Sequence, residues 1–165
     1  MEEFRVNMKN HFRSGSTIFY GLLTCIFFPF VFSLLVDEDV KSLIWISGVV
    51  FVVMVLPAIF IHIRYYLLNK DDIINYDFHN RLISIKHKGE TATFSLDDID
   101  HIERFMSFNL FAGRAPVMPF DEYNHSVISL KNGKKFIITS LLVPNLNLPL
   151  ESEKITIKES FYRYA

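Results

Sequence analysis

Two long apolar stretches dominate the first part of the chain. Residues 17–36, TIFYGLLTCIFFPFVFSLLV, contain no charged side chain, and residues 43–63, LIWISGVVFVVMVLPAIFIHI, contain only a histidine that can stay neutral. A helix of about 20 residues rises about 30 Å, which matches the hydrocarbon thickness of a bilayer. A surface helix of a soluble protein needs a polar face, and neither stretch has one. The pattern predicts a transmembrane helical hairpin over residues 17–63, integral to the lipid bilayer.

The polar segment inside LLVDEDVKSL, residues 34–43, separates the two stretches. We expect residues 37–42 to form the bend of the hairpin, outside the hydrocarbon. Basic side chains concentrate at the other ends of the two stretches, at Arg5, Lys9, Arg13, Arg64 and Lys70, whereas the bend carries only Lys41. Because basic flanks stay on the cytoplasmic side, we predict a multi-pass protein of the plasma (inner) membrane with both termini cytoplasmic. Residues 1–16 are then a cytoplasmic N-terminal tail.

One face of the first stretch carries small and hydroxylated side chains. They are Thr17, Gly21, Thr24 and Cys25. Such residues let another helix approach closely. We interpret them as a packing seam within the hairpin, with a seam to another protein as the alternative.

Beyond residue 63, short segments alternate between apolar and polar positions, which is typical of strands. Residues 82–86 and 91–96 alternate on either side of a glycine-containing turn and predict a hairpin. A second hairpin is predicted from residues 127–131 and 134–140, which flank Asn132-Gly133. Asn-Gly adopts two positive φ angles at little cost and is the strongest short hairpin signal.

Three further segments are less regular. Residues 65–69 and 73–78 predict another hairpin, with its turn at residues 70–72. Residues 96–105 carry an apolar side chain at every third position, which suits either a helical turn or a bulged strand. Near the end of the chain, residues 155–158, ITIK, indicate a strand, with a short helix as the alternative.

The layout resembles that of the bacterial membrane-anchored pleckstrin-homology-like (PH-like) domain proteins, which carry an N-terminal two-helix transmembrane hairpin. The resemblance rests on the hairpin and on the run from FHNRLISIKHKGETATFSLDDIDHIE to ISLKNGKKFIITSLL. It implies a cytoplasmic PH-like β domain over residues 64–165, built as a split barrel of two packed sheets and normally closed by a C-terminal helix. Such domains are generally binding modules or assembly scaffolds and not enzymes. We therefore predict an α+β membrane protein, with a transmembrane helical hairpin followed by a small, mostly antiparallel PH-like split barrel.

Composition narrows the function further. The single cysteine excludes an internal disulfide, a thiolate zinc cluster and a CxxC redox pair. Residues 64–165 carry as many acidic as basic side chains, which argues against nucleic acid as a partner. The chain contains no phosphate-binding loop, dinucleotide fingerprint, HExxH or GxSxG motif. We predict no enzyme, no catalytic residue, no cofactor and no metal.

Two polar groups are interpreted as solvated surfaces. His101 and Glu103 have the HxE spacing of zinc deaminases, but the PCxxC partner of that site is missing. The acidic side chains around them, Asp97, Asp98, Asp100 and Glu103, lack the glycine that would shape a calcium loop.

The long segment between the two hairpins is unusual. Residues 106–125, MSFNLFAGRAPVMPFDEYNH, exceed the usual length of a structureless loop and are too apolar for a disordered one. One interpretation is that the segment folds back onto the barrel or meets the headgroups. The other is a partner or oligomer contact, because aromatic residues and arginine are favoured at interface hot spots. In that case Phe108, Phe111 and Phe120 are the anchors and Arg114 is the polar centre.

Two functional hypotheses remain. The first is a membrane-anchored scaffold whose cytosolic domain contacts a protein partner or self-assembles into a homo-oligomer through residues 106–125. The alternative is an immunity-type membrane protein that neutralises a membrane-targeting toxin through its outer bend and its helices.

Overall fold

The computed structural model describes residues 2–36, 39–87, 89–144, 146, 148–149 and 152–159. The strands are β1 (Glu2–Arg5), β2 (Ile73–Asp77), β3 (Leu82–His87), β4 (Glu90–Ser95), β5 (Ile99–Met106), β6 (His125–Leu130), β7 (Lys135–Thr139) and β8 (Ile155–Glu159). The helices are α1 (Met8–Val36), α2 (Val40–Val50), α3 (Leu56–Asn69) and the short α4 (Phe108–Phe111). A π-helical turn, Phe51–Val55, joins α2 to α3. Turns of 3₁₀-helix lie at Leu96–Asp98 and Ser152–Lys154.

Two helices are long and apolar enough to cross a membrane, judged by length and composition: Met8–Val36 and the continuous helix Val40–Asn69. Each is about 45 Å long, and both extend beyond the apolar stretches on the side of the β domain. The first starts early because the Asn7 side chain accepts a hydrogen bond from the backbone N–H of Asn10, at 2.9 Å. The second starts at a cap in which the Asp39 carboxylate accepts from the N–H of Lys41, at 3.2 Å.

The π-helical turn in the second long helix has a local cause. Pro57 has no backbone N–H, and its ring crowds the carbonyl one turn earlier. The backbone widens there, so that the N–H of Leu56 donates to the carbonyl of Phe51, five residues back. The helix thereby passes its proline without ending.

The helical hairpin is inserted between two neighbouring strands of one sheet. Residues 2–5, which we predicted to lie in an N-terminal tail, form β1 and pair antiparallel with β2, with Arg5 opposite Ile73. The predicted boundaries, a tail at residues 1–16 and a β domain that starts at residue 64, are therefore wrong. The β domain begins with β1, before the helices, and continues after them. A four-residue strand whose partner lies some seventy positions away leaves no periodic signal of its own.

The two main predicted hairpins are confirmed. β3 pairs with β4 and β6 pairs with β7, and the turn glycines Gly89 and Gly133 have φ of 90° and 84°. The predicted hairpin of residues 65–69 with 73–78 is wrong, because residues 65–69 are the last turns of α3. Their apolar pattern belongs to a helical stripe that faces the domain, formed by Ala58, Ile61, Tyr65 and Asn69.

The strands form two four-stranded sheets, with the orders β1-β2-β3-β4 and β7-β6-β5-β8. Residues 96–105 combine both of their predicted forms, a 3₁₀ turn followed by β5, with a register shift between Ile99 and His101. The predicted ITIK strand is confirmed as β8, which runs parallel to β5. It lies where the PH-like resemblance implied a closing helix, and residues 160–165 lie outside the described part of the chain.

The space between the sheets is filled by apolar side chains from β2, β3 and β4 of the first sheet, from β5, β6 and β7 of the second sheet, and from the turns that adjoin them. The buried members are Ile74, Tyr76, Ile83, Ile85, Phe94, Leu96, Ile99, Ile102, Ile128, Leu130, Ile138, Leu142 and Val143. A second, smaller cluster joins α3 to the domain and consists of Ala58, Ile61, Tyr65, Phe120, Tyr123 and Leu141. The domain thus has one core between its sheets and another at its contact with the helices.

Two asparagines hold the helices to the domain. Asn69, at the end of α3, accepts a hydrogen bond from the N–H of Thr139 at 3.0 Å and donates to the carbonyl of Ile137 at 3.0 Å. Asn10, in the first turn of α1, donates to the carbonyl of Leu141 at 2.8 Å. Both side chains are buried. Short connections add to this attachment, because β1 ends just before α1 begins and β2 begins just after α3 ends. The domain therefore cannot swing freely relative to the hairpin.

We predict that Asn69→Ala destabilises the protein by roughly 2–4 kcal/mol, since it leaves the buried N–H of Thr139 and the partly buried carbonyl of Ile137 without this partner. In a chain of this length that loss lowers Tm by several degrees, measurable by thermal unfolding in mild detergent. Asn80→Ala is the control, because Asn80 lies in the exposed β2–β3 turn and bonds only across it, to Asp77. Equal Tm values for the two variants would contradict a tethering role for Asn69.

Candidate functional site

The segment between β5 and β6 is an ordered loop organised by one buried carboxylate. Asp121 is 4% exposed. Its Oδ2 accepts hydrogen bonds from the Asn109 side chain at 2.8 Å, from the N–H of Val117 at 3.0 Å and from the N–H of Met118 at 2.9 Å. A buried charge is stable only with such partners. The loop is therefore held in one shape by bonds that converge on Asp121.

Helix α4 presents two aromatic side chains to the outside. Ser107 caps this helix by accepting from the N–H of Leu110 at 3.0 Å. Phe108 and Phe111 are 55% and 51% exposed, and the guanidinium of Arg114 lies 5.3 Å from the centre of the Phe108 ring. The structure thus brings together three of the four residues proposed as partner contacts. We call Phe108, Phe111 and Arg114 the α4 surface.

Phe120, the fourth proposed anchor, lies elsewhere. It is 1% exposed and belongs to the cluster that joins α3 to the domain. Its side chain is therefore part of the fold and is not presented with the α4 surface. The sequence could not separate the two cases, because an apolar anchor and an apolar core residue look alike in a loop without periodicity.

The end of the loop contacts the long helices. The hydroxyl of Thr17 donates to the carbonyl of Pro119 at 2.9 Å. A Cβ placed on Gly21 would lie 3.2 Å from Pro119 and 3.2 Å from Val55 of the other helix. The small-residue seam of α1 therefore accommodates both the second helix and the loop. The sequence predicted a seam within the hairpin, with a seam to another protein as the alternative, and did not indicate the loop.

A chain of histidines and tyrosines links the helices to the loop. Nδ1 of His11 lies 3.0 Å from Nε2 of His62, whose Nδ1 lies 2.7 Å from the hydroxyl of Tyr123. Beside it, the hydroxyl of Tyr65 lies 2.9 Å from Nδ1 of His125. Sequence reasoning missed this network, because its members come from three distant segments. The helical spacing from Ala58 to Tyr65 was the one signal that could have placed Tyr65 against the domain.

Two ionisable groups beside the loop respond to burial. Burial raises the pKa of the Glu122 carboxyl, and the nearby positive charge of Arg13 opposes that rise. Burial also raises the pKa of the Tyr123 phenol, and the negative charge of Glu122 raises it further by a smaller amount. Tyr123 therefore keeps its hydroxyl proton at any physiological pH and can donate to His62. Arg13 and Glu122 face a cavity of about 80 Å³ that α1 shares with Leu110 and Arg114 of the loop.

The acidic residues near β5 serve local structure at the surface. The Asp98 carboxylate accepts from the backbone N–H and the hydroxyl of Ser95, and these bonds lower its pKa. Glu103 pairs with Lys158 across the β5–β8 edge. In the described part of the chain, no group of three or more His, Cys, Asp or Glu side chains is arranged to hold a metal ion.

Comparison with known proteins identifies a family. A family model described as PH domain matches residues 3–149, which cover most of the 165 residues. The match includes β1, both long helices and the strands up to β7. No curated protein and no solved structure matches the chain significantly.

We predict that Asp121→Ala loosens the loop without unfolding the domain. It removes three hydrogen bonds, each of which contributes roughly 0.5–1.5 kcal/mol, so amide hydrogen exchange in residues 107–120 should become about ten-fold faster or more. Exchange in β6 and β7 should stay unchanged. Asp71→Ala, at the exposed turn after α3, is the control and should leave the loop protected. Equal protection in both variants would show that Asp121 does not organise the loop.

We predict that Glu122→Gln raises Tm at neutral pH. The folded state raises the pKa of this carboxyl, so its ionised form costs stability above that pKa, and the cost disappears as pH falls through it. The gain in Tm should therefore shrink as the pH is lowered. Glu90→Gln, on the exposed start of β4, should give no such pH-dependent difference. A Glu122→Gln gain that stays constant with pH would contradict the desolvation account.

Proposed function

Because this chain belongs to the PH domain family, we propose that it is a non-enzymatic, membrane-anchored binding module whose cytosolic domain contacts a protein partner through the α4 surface. PH domains are typically binding modules without catalytic activity. The observation that carries the proposal is the combination of two exposed apolar helices with an ordered, exposed aromatic surface beside them.

The exposure of the helices supports membrane anchoring. Only 6% of the most apolar 18-residue window of α1 is buried, and 22% of that of the second long helix. The core helix of a soluble protein would be mostly buried. Here large side chains such as Phe27, Leu34 and Val49 are more than half exposed, and a bilayer would cover them.

The ends of the helices support one orientation. Three basic residues, Lys9, Arg13 and Arg64, lie at the ends of the helices nearest the domain, and Lys9 is exposed. The sequence of the bend, residues 37–42, contains a single basic residue, Lys41. This asymmetry favours a cytosolic domain with both termini on the same side. Trp45, which is 79% exposed near the bend end of α2, has the position in which interfacial tryptophans are enriched.

With the two long helices across the bilayer, the α4 surface has a fixed height above the membrane. Leu110 and Arg114 line a cavity together with Arg13 and Ser14 of α1, which precede the apolar stretch that starts at residue 17. Asn10 and Asn69 prevent the domain from turning away. A partner that binds α4 is therefore expected to be a membrane protein or a protein already at the membrane surface.

Two exposed phenylalanines and an arginine form a suitable contact. Burying one phenylalanine contributes roughly 1.5–3 kcal/mol, and the arginine stacked on Phe108 is pre-positioned for an acidic group. A second copy of the chain also offers apolar surface and acidic groups. If the α4 surface binds a second copy, the protein is a homo-oligomer. The immunity-type alternative, which acts through the bend, stays a prediction.

We predict that Phe111→Asp reduces partner capture by about ten-fold or more, as expected from the loss of one buried phenylalanine. A photo-reactive residue at position 108 of the full-length protein, in its own cells, should cross-link one protein at the membrane, and Phe111→Asp should abolish that product. The mass of the product distinguishes a partner from a second copy.

Phe78→Asp is the matched control. Phe78 is 56% exposed, close to the 51% of Phe111, but lies in the β2–β3 turn. It should leave the cross-link intact. The absence of any product at position 108, or equal loss with both variants, would refute a partner contact at α4.

A further inference from the structure

The tip of the β5–β6 loop is an uncharged segment at the level of the long helices. Residues 115–118, Ala-Pro-Val-Met, lie between Arg114 and Pro119, and Val117 is 72% exposed. Pro119 lies next to Gly21 of α1, and Val55 of the second helix adjoins the same glycine. An exposed apolar side chain is not unusual by itself, but beside two exposed apolar helices it extends their surface, and extended apolar surfaces mark membrane or partner contacts.

The contact residues give the depth of the tip. Gly21 lies four residues inside the apolar stretch that starts at Thr17, which corresponds to about 6 Å along a helix. Tyr20, the neighbour of Gly21, is 66% exposed, and tyrosine is enriched at the boundary between headgroups and hydrocarbon. If the helices cross a bilayer, as proposed above, the tip reaches this boundary on the cytosolic side.

The backbone of the tip is prepared for a place with little water. Pro116 and Pro119 have no N–H to satisfy, and the N–H groups of Val117 and Met118 both donate to the buried Asp121 carboxylate. The carbonyl of Met118 accepts from the N–H of Asp121 at 3.0 Å, and that of Pro119 accepts from Thr17. These bonds lower the cost of taking this part of the backbone out of water, and they suit a place at the headgroup boundary, above the hydrocarbon from which lipid-exposed irregular backbone is excluded.

Two arginines lie close to the tip. Arg114 precedes it and is exposed, and Arg13 of α1 lines the same small cavity as Arg114 and Pro116. Guanidinium groups at this level meet lipid phosphates. The order along the loop, arginine and then an apolar tip, matches the order of headgroup and hydrocarbon in a leaflet.

From these observations we propose that residues 115–118 insert into the cytosolic leaflet as a third membrane contact besides the two helices. The lipid leaflet is the occupant of this surface, and Arg114 marks the headgroup level. The loop thus has two parts: the tip contacts lipid, and Phe108 and Phe111 of α4 stay available to a partner, with Arg114 between the two in sequence. The inference rests on the membrane anchoring proposed above.

Fluorescence quenching tests the insertion in the full-length protein. Trp45 is the only tryptophan, so Trp45→Phe with Val117→Trp places a single reporter at the tip, where the exposed Val117 side chain can be enlarged without disturbing the core. The protein is reconstituted in phosphatidylcholine vesicles containing some phosphatidylglycerol. We expect quenching of this reporter by lipids with a nitroxide near the headgroup, and at least several-fold protection from aqueous iodide. Trp45→Phe with Phe78→Trp is the control and should be quenched by iodide alone.

Each other outcome overturns the inference in a distinguishable way. If the native Trp45 is quenched by lipid nitroxides but the reporter at 117 responds only to iodide, the helices are inserted and the tip is in water. If the reporter at 117 is protected from both quenchers, a protein surface covers the tip. If Trp45 itself shows no lipid quenching, the helices do not enter the bilayer, and the proposed anchoring fails together with the tip insertion.

Discussion

The contact between the Asn69 carboxamide and the backbone of β7 is the interaction on which the arrangement of the molecule depends. One side chain at the end of α3 satisfies both a strand N–H and a strand carbonyl, at Thr139 and Ile137, much as a neighbouring strand would. It also donates to Asp72 at 2.7 Å, and Asp72 lies 2.7 Å from the His87 imidazole of β3. The helix end, the first sheet and the second sheet are thereby joined at one buried point, which fixes the height and the direction of everything attached to it.

The insertion of a helical hairpin between two paired strands has a thermodynamic basis. Closing a long loop costs little more than closing a short one, because the entropy grows only with the logarithm of length. Once α1 and the second helix associate, their ends lie side by side, and β1 and β2 can pair almost as they would across a short turn. Helix association and strand pairing therefore support each other, which explains how a strand of only four residues is stable.

Local signals in the sequence were sufficient for much of this fold. The two apolar runs, the Asn132-Gly133 turn and the alternation from residue 82 to 96 each depend on neighbouring residues, and the structure has the corresponding elements. β1, the extension of the second helix to Asn69 and the histidine–tyrosine network depend on partners fifty or more positions away. Of the proposed contact residues, Phe120 could not be assigned for the same reason, since its burial is decided by α3.

A rigid junction changes what a binding module at a membrane can do. A domain on a flexible linker samples many orientations, and each binding event must give up that freedom. Here Asn10, Asn69 and the buried Asp121 hold α4 in one orientation. Under the proposed function, a partner confined to the same membrane would meet a surface that is already positioned. Confinement raises the effective concentration of such a partner, so a contact of two phenylalanines and an arginine can be productive at the membrane while remaining weak in solution.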